Sequence, residues 1–320
     1  HLKSAVQVWD VSVQRQIEIK GPGAKQLIER LTPRNLTNLT TEKCFYIPIV
    51  DRNGGMINDP VLIKLEEDHY WISIADSDVL FWILGIATSG KINVKISEAS
   101  VFPLAIQGPK SKILMERVFG SAINNIPFFG IKTLNFNNTN FLISKSGFSK
   151  QSGFEIYIDD QDAGLNLWDA LFEAGLDLEI RAGCPNLIER IEGGLLSYGN
   201  DMTIENSPYE CGLGKFCNPE TVKSCIGRES LISESLKGPA KQIRYLEIDG
   251  SNLPNCTKPW RISHNGKDVG QITSAAYSPD FKTYVAIGMV TSTSWHDKTE
   301  VLVHAGENKY DARIRTSTFI

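Results

Sequence analysis

Apolar and polar positions alternate with a period of two in several short runs, separated by stretches with helical spacing. Val6-Gln-Val-Trp-Asp-Val11 and Arg15-Gln-Ile-Glu-Ile-Lys20 read as strands, after which Gly21-Pro-Gly23 turns the chain into a helix over residues 24–31. Residues 44–50 and 60–65 are predicted to pair as strands across the turn Asp51-Arg-Asn-Gly-Gly55. A strand at 70–75 leads to a helix running to about Ala87, with Asp76 or Ser77 as its cap.

A similar order then recurs. A strand at 101–106, the turn Gln107-Gly-Pro109, a helix over 111–119 and strands near Lys132 and Asn140 repeat the first half. Gly21-Pro-Gly-Ala24 and Gly108-Pro-Lys-Ser111 therefore read as equivalent turns of two related halves. Two such halves imply a pseudo-symmetric pair of mixed sheets with helices on one face. Further helices are expected near 163–173 and 185–196, and the short strands from Gln242 onward read as a small barrel or sandwich. The fold class is α+β.

One stretch stands out as a carrier of chemistry, Lys145-Ser-Gly-Phe-Ser-Lys-Gln-Ser-Gly-Phe-Glu-Ile-Tyr-Ile158, a Gly-punctuated loop running into a strand. Alternation puts Phe154, Ile156 and Ile158 on one face and Glu155 and Tyr157 on the other. With the apolar set in the core, Glu155 and Tyr157 are expected to face water or a cavity.

Composition removes several classes. At 320 residues with 42% hydrophobic and 22% charged positions, the chain is that of a soluble globular protein of two or three domains. A net charge of -4 without a basic run argues against nucleic-acid binding. The longest apolar run, around 79–87, is too short to cross a bilayer, so no membrane association is expected. Six cysteines without a Cys-x-x-Cys pair read as free thiols in a reducing cytoplasm, and with five scattered histidines no metal site is expected. Gly-Pro-Gly before a helix lacks the spacing of a phosphate loop.

The motifs Trp9-Asp-Val-Ser12, Gly21-Pro-Gly-Ala24, Gly54-Gly-Met-Ile-Asn-Asp59, Ile106-Gln-Gly-Pro109, Gly153-Phe-Glu-Ile156, Tyr198-Gly-Asn-Asp201, Ile226-Gly-Arg-Glu229 and Gly270-Gln-Ile-Thr-Ser-Ala-Ala-Tyr-Ser-Pro279 occur in this order. Together they resemble the folate-dependent aminomethyltransferase family over nearly the whole chain. The resemblance implies a three-domain cloverleaf around a central folate channel: a first α+β half over 1–100, a second over 101–235 interleaved with it, and a C-terminal β domain over 236–320. It also implies that the N-terminal part of the family fold precedes His1. Within the family, Val6-Gln-Val-Trp-Asp-Val11, Trp71-Ile-Ser-Ile-Ala-Asp-Ser-Asp78, Ser146-Gly-Phe-Ser-Lys-Gln151 and Cys184-Pro-Asn-Leu-Ile-Glu-Arg-Ile-Glu192 are most similar to the dimethylsulfoniopropionate demethylases.

This likeness implies transfer of a methyl group from dimethylsulfoniopropionate to tetrahydrofolate by direct displacement, giving 3-(methylthio)propionate and 5-methyltetrahydrofolate. Glu155 matches the family position that accepts N–H donors from the pterin edge, with Tyr157 beside it and Asn58 also on the folate side. Asp59 matches the family's essential acid near the reactive folate nitrogens; otherwise it is a turn residue before Pro60. Phe148, Tyr46 and Tyr157 are the aromatic candidates for the sulfonium, which favours ring faces. Lys150 is a candidate for the substrate carboxylate or the folate tail, or else a solvated loop lysine. Trp71 and Trp82 read as core. A homodimer is the candidate assembly.

Other readings remain open at this level. Asn186 and Leu187 stand where glycine-cleavage enzymes have an Arg-Asp pair, which counts against a glycine-derived aminomethyl donor, and Arg190 either holds a carboxylate or pairs with a neighbour. A folate-binding protein of iron–sulfur maturation would use Cys225, but the surrounding Lys223-Ser-Cys-Ile-Gly-Arg-Glu229 departs from that motif. A fragment of a flavin-dependent amine oxidase lacks the dinucleotide fingerprint.

Overall fold

In the computed structural model, which describes residues 1–74 and 77–320, the first two strands, β1 (Gln7–Asp10) and β2 (Arg15–Lys20), enter different sheets. Then come α1 (Ala24–Leu31), β3 (Cys44–Tyr46), β4 (Ile49–Val50), β5 (Met56–Asn58), β6 (Val61–Glu66), β7 (His69–Ile74), α2 (Val79–Ser89) and β8 (Lys95–Ala99). The second half supplies β9 (Phe102–Gln107), α3 (Ser111–Phe119), β10 (Ile131–Phe136), β11 (Thr139–Ser144), β12 (Gly153–Ile158), α4 (Gln161–Ala174) and β13 (Arg181–Gly183). After these come α5 (Leu187–Glu192), α6 (Arg228–Lys237) and the strands β14 (Lys241–Ile248), β15 (Trp260–His264), β16 (Lys267–Ser278), β17 (Thr283–Thr291), β18 (Glu300–Ala305) and β19 (Asn308–Arg315).

The chain forms two compact units. One comprises His1–Arg30, Leu36–Ile47 and Asp59–Pro185; the other comprises Leu31–Asn35, Pro48–Asn58 and Asn186–Ile320.

The first unit contains two sheets, in the orders β3-β6-β7-β2-β8 and β10-β11-β12-β9-β1-β13. Their likeness is a repeat with an exchange. β8, which precedes the second half, pairs with β2, whereas β1, which precedes the first half, pairs with β9. The expected mixed character holds for the second sheet, where β1 and β13 run parallel, and among the described residues every other pair of strands in this unit is antiparallel. Gly21 and Gly108 have φ of +125° and +123°, and their N–H groups bond to Asp68 O and Ser152 O, each at 2.9 Å. At Gly108 a Cβ would lie 2.4 Å from Ala5 O, so both conformation and space require glycine.

Outer and inner faces of the second sheet differ in their partners. Phe154, Ile156, Ile143 and Ile106 pack with Leu114 and Met115 of α3 and Leu167 and Leu171 of α4. The inner face meets the first sheet: Tyr157, Ile131 and Leu142 pack with Cys44, Ile63 and Trp71. Trp71 is thus a core residue, as expected, although partly exposed.

Three local expectations are corrected. The strand expected over 44–50 is broken, because Pro48 has no N–H for a ladder; β3 pairs with β6, while the Asp51 turn closes β4 on β5. The helix expected over 185–196 spans only Leu187–Glu192, ended by Gly193 and by Gly194 at φ +64°. At α2 the cap position is Asp78, which makes no side-chain cap bond, and Ser77 instead accepts from Arg15 Nη2 through its carbonyl; Asp76 lies outside the described residues.

In the second unit, strands β14-β17-β16-β15-β18-β19 close into a barrel. Its interior holds Leu246, Ile262, Ile272, Val290, Val303 and Ile314, the inward set of each alternating strand. No helix among the described residues is long and apolar enough to cross a membrane.

Candidate functional site

Glu155 lies at the middle of β12, opposite Ala105 on one side and Ser144 on the other. Alternation puts it on the expected face, but that face is covered: Glu155 is 7% exposed and Tyr157 3%. Of the two expected surroundings, water or a cavity, open water is excluded because a second sheet packs there, which strand periodicity does not encode. The Ser146 hydroxyl donates to Glu155 Oε2 and lies 2.6 Å from the Ser144 hydroxyl. Burial raises the Glu155 carboxyl pKa, and the Ser146 hydrogen bond opposes this only in part.

Neighbouring groups feel the same environment. Burial, then the Glu155 charge, pushes the Cys44 thiol up to about 12. The Tyr157 phenol is raised by burial first and by Glu155 and Cys44 next, with hydrogen bonding to Ser144 and Ser73 working the other way. Its ring lies 5.9 Å from that of Trp71. By the repeat of the two halves, Trp71 is the counterpart of Glu155 and Ser73 the counterpart of Tyr157.

Asp59 and Tyr46 form a second acidic group in the same unit. The Tyr46 hydroxyl donates to Asp59 Oδ2 at 2.5 Å, and both residues are half-buried. Asp59 is held there by the register of β3 on β6, where Tyr46 opposes Val61, and by the Ile47 N–H to Pro60 O bond of 2.9 Å. Phe148 and Lys150, by contrast, are exposed on the loop between β11 and β12.

The second unit contains the motif stretches 54–58, 198–201, 226–229 and 270–279. Asn58, at the end of β5, is buried and pairs with Ile49. Met56 N–H bonds to Asn206 O at 2.8 Å, and the Tyr198 hydroxyl donates to Met56 O at 3.0 Å. Gly55 is required because a Cβ would meet Ile204 O at 2.1 Å. Arg190 does pair with a neighbour: Nη1 reaches Asp201 Oδ2 at 2.6 Å, and Nη2 donates to Ser274 Oγ at 2.6 Å. Asp201 also accepts from Thr273 Oγ1 and Ser274 Oγ, both at 2.7 Å. Asn186 caps α5, accepting from Glu189 N–H at 3.1 Å.

Residues 1–221 match the GCVT N-terminal domain, and residues 241–320 match the glycine cleavage T-protein C-terminal barrel domain. The chain belongs to the glycine cleavage T-protein family. Within the family it is 49% identical to dimethylsulfoniopropionate demethylase DmdA of Ruegeria pomeroyi, over 98% of this chain and 86% of that protein. An aminomethyltransferase of Alkaliphilus metalliredigens is 24% identical over 99% of this chain and 87% of its own length. The crystal structure of glycine cleavage system aminomethyltransferase T from Bartonella henselae has the same fold, with a TM-score of 0.89 at 20% identity, covering all of this chain and 88% of that one.

Four residues around the family motifs were not singled out by sequence reasoning: Ser144 and Ser146 beside Glu155, Cys44 on the facing sheet, and Gln107 beneath the loop. Ser146 and Gln107 lie inside quoted motifs, so position gave a signal. Cys44 gave none, since its approach to Glu155 depends on sheet packing.

Proposed function

We propose that this protein is a tetrahydrofolate-dependent methyltransferase that demethylates dimethylsulfoniopropionate. The observation that carries the reading is the 49% identity, over 98% of the chain, to a dimethylsulfoniopropionate demethylase, against 24–29% for aminomethyltransferases. Asn186 adds to it. Asn186 is occupied as the cap of α5, at the position where the family resemblance implies an arginine in glycine-cleavage enzymes.

Displacement at a sulfonium methyl breaks a C–S bond and leaves a neutral thioether, so it needs neither a general acid nor a covalent intermediate. The folate ring amine forms the new N–C bond and afterwards loses its proton. Holding donor and acceptor in line is then the main task, which can contribute roughly 7 to 11 kcal/mol in favourable cases. In this reading Glu155 accepts the N–H donors of the pterin, with Tyr157 and Asn58 supporting the folate. Asp59, held by Tyr46, orients the reacting ring and stabilises positive charge. Phe148, Tyr46 and Tyr157 offer ring faces to the sulfonium, and Lys150 pairs with the substrate carboxylate.

Incubation with tetrahydrofolate and dimethylsulfoniopropionate tests the reading directly. Equal amounts of 5-methyltetrahydrofolate and 3-(methylthio)propionate are expected. Folate binding without either product would make the sulfonium assignment wrong.

A further inference from the structure

The two halves of the first unit differ in the connection between their central paired strands. In the first half β6 and β7 are joined by the tight turn at Glu67 and Asp68, whereas β11 and β12 are joined by the eight-residue loop 145–152. Beneath that loop lies Gln107, the last residue of β9, whose side chain is fully buried. Its Nε2 donates to Ser146 O at 3.1 Å, and its Oε1 accepts from Ser149 Oγ at 2.7 Å.

Two glycines make room for this amide. A Cβ at Gly147 would lie 2.1 Å from Gln107 Nε2, and one at Gly153 would lie 2.2 Å from it. The repeat supplies a control: the counterpart of Gln107, one residue before the equivalent glycine turn, is Lys20, which is exposed. The fold therefore builds this turn without a buried amide, and the amide serves the loop.

We propose that Gln107 is a positioning residue that sets the conformation of loop 145–152, and with it the seating of the Ser146 hydroxyl on Glu155 and the presentation of Phe148 and Lys150. The inference rests on the demethylase reading only for the identity of the donor. An amide suits the role because it donates to a carbonyl and accepts from a hydroxyl at once, which neither a carboxylate nor an ammonium does.

The test compares Gln107→Ala, Gln107→Glu and Gly153→Ala, alone and with Gln107→Ala, in the full chain. Native trypsin cleavage after Lys150 reads the loop, and KM and kcat for dimethylsulfoniopropionate read the site. Gln107→Ala is expected to speed cleavage and raise KM by about tenfold, the scale of one to two neutral hydrogen bonds, with a smaller change in kcat. Gln107→Glu should behave likewise at alkaline pH and recover at acid pH, where its carboxyl again carries a donor. Gly153→Ala should lower Tm through its clash with the amide. Removing the amide should restore Tm in the double variant while cleavage stays fast. Wild-type cleavage and KM in both Gln107 variants, or full loop protection in the double variant, would overturn the proposal. If the wild type does not act on dimethylsulfoniopropionate, the cleavage rates still decide the role of Gln107, so the two failures are separable.

Discussion

The Tyr46 hydroxyl donates a 2.5 Å hydrogen bond to Oδ2 of Asp59, joining the end of one strand to the residue two places before its partner strand begins. Because the acceptor is a carboxylate, this bond is of the stronger kind, about 1.5–3 kcal/mol. Tyr46→Phe should lower kcat/KM for methyl transfer by roughly tenfold to a hundredfold, and should also lower Tm by a few degrees. A steady-state rate equal to the wild type would show that the Tyr46 hydroxyl does not act through Asp59 at the reacting centre.

Glu155 predicts a dependence of stability on pH. Its carboxyl pKa is raised by burial, so between the unfolded and the folded pKa the folded state holds a proton that the unfolded chain has released. The contribution is fully present below the unfolded pKa and is lost as pH rises through the folded pKa. Glu155→Gln, which can still accept from Ser146, should flatten this dependence and raise Tm at neutral pH by roughly 2–4 °C. Thermal melts of both proteins across pH 4 to about 8 check it.

At a pH below the raised pKa, folate binding should release a proton for the same reason. Two N–H donors favour the carboxylate form of Glu155, so affinity should weaken as pH falls below the raised pKa. Calorimetric titration in two buffers of different ionisation enthalpy measures the proton count. Equal apparent enthalpies in wild type would count against Glu155 as the pterin acceptor.

Arg190 and Asp201 form an ion pair whose side chains are 8% and 0% exposed. Arg190→Leu leaves the Asp201 charge buried beside two hydroxyls and should cost roughly 3–5 kcal/mol in denaturant unfolding. Asp201→Asn with Arg190→Leu should recover part of that loss.

Among the cysteines, Cys184 is exposed, whereas Cys44, Cys211, Cys217 and Cys225 are buried. Burial holds the Cys44 and Cys217 thiols up at about 12. Because the thiolate is the reactive form, Cys184 should be alkylated first at neutral pH, and the buried four should label only after unfolding. Mass spectrometry of the peptides reads the order.

Local order along the chain was legible from spacing. Alternation located β12 and divided Phe154 and Ile156 from Glu155 and Tyr157, and the two glycine turns disclosed the repeat, because these features depend on neighbours a few residues away. Pro48 also carried a readable signal, since a residue without an N–H interrupts a ladder wherever it stands. The order of the motifs along the chain was enough to indicate the family.

What tertiary structure decided is which surfaces are covered and which distant groups meet. Alternation says that Glu155 and Tyr157 share a face, but only the packing of the other sheet makes that face interior and brings Cys44 and Trp71 against it. The exchange of β1 and β8 between halves, the Tyr46–Asp59 bond and the Gln107 amide beneath loop 145–152 likewise join residues through long-range pairing. Spacing is a property of one segment, whereas burial and hydrogen-bond partnership are properties of two segments brought together.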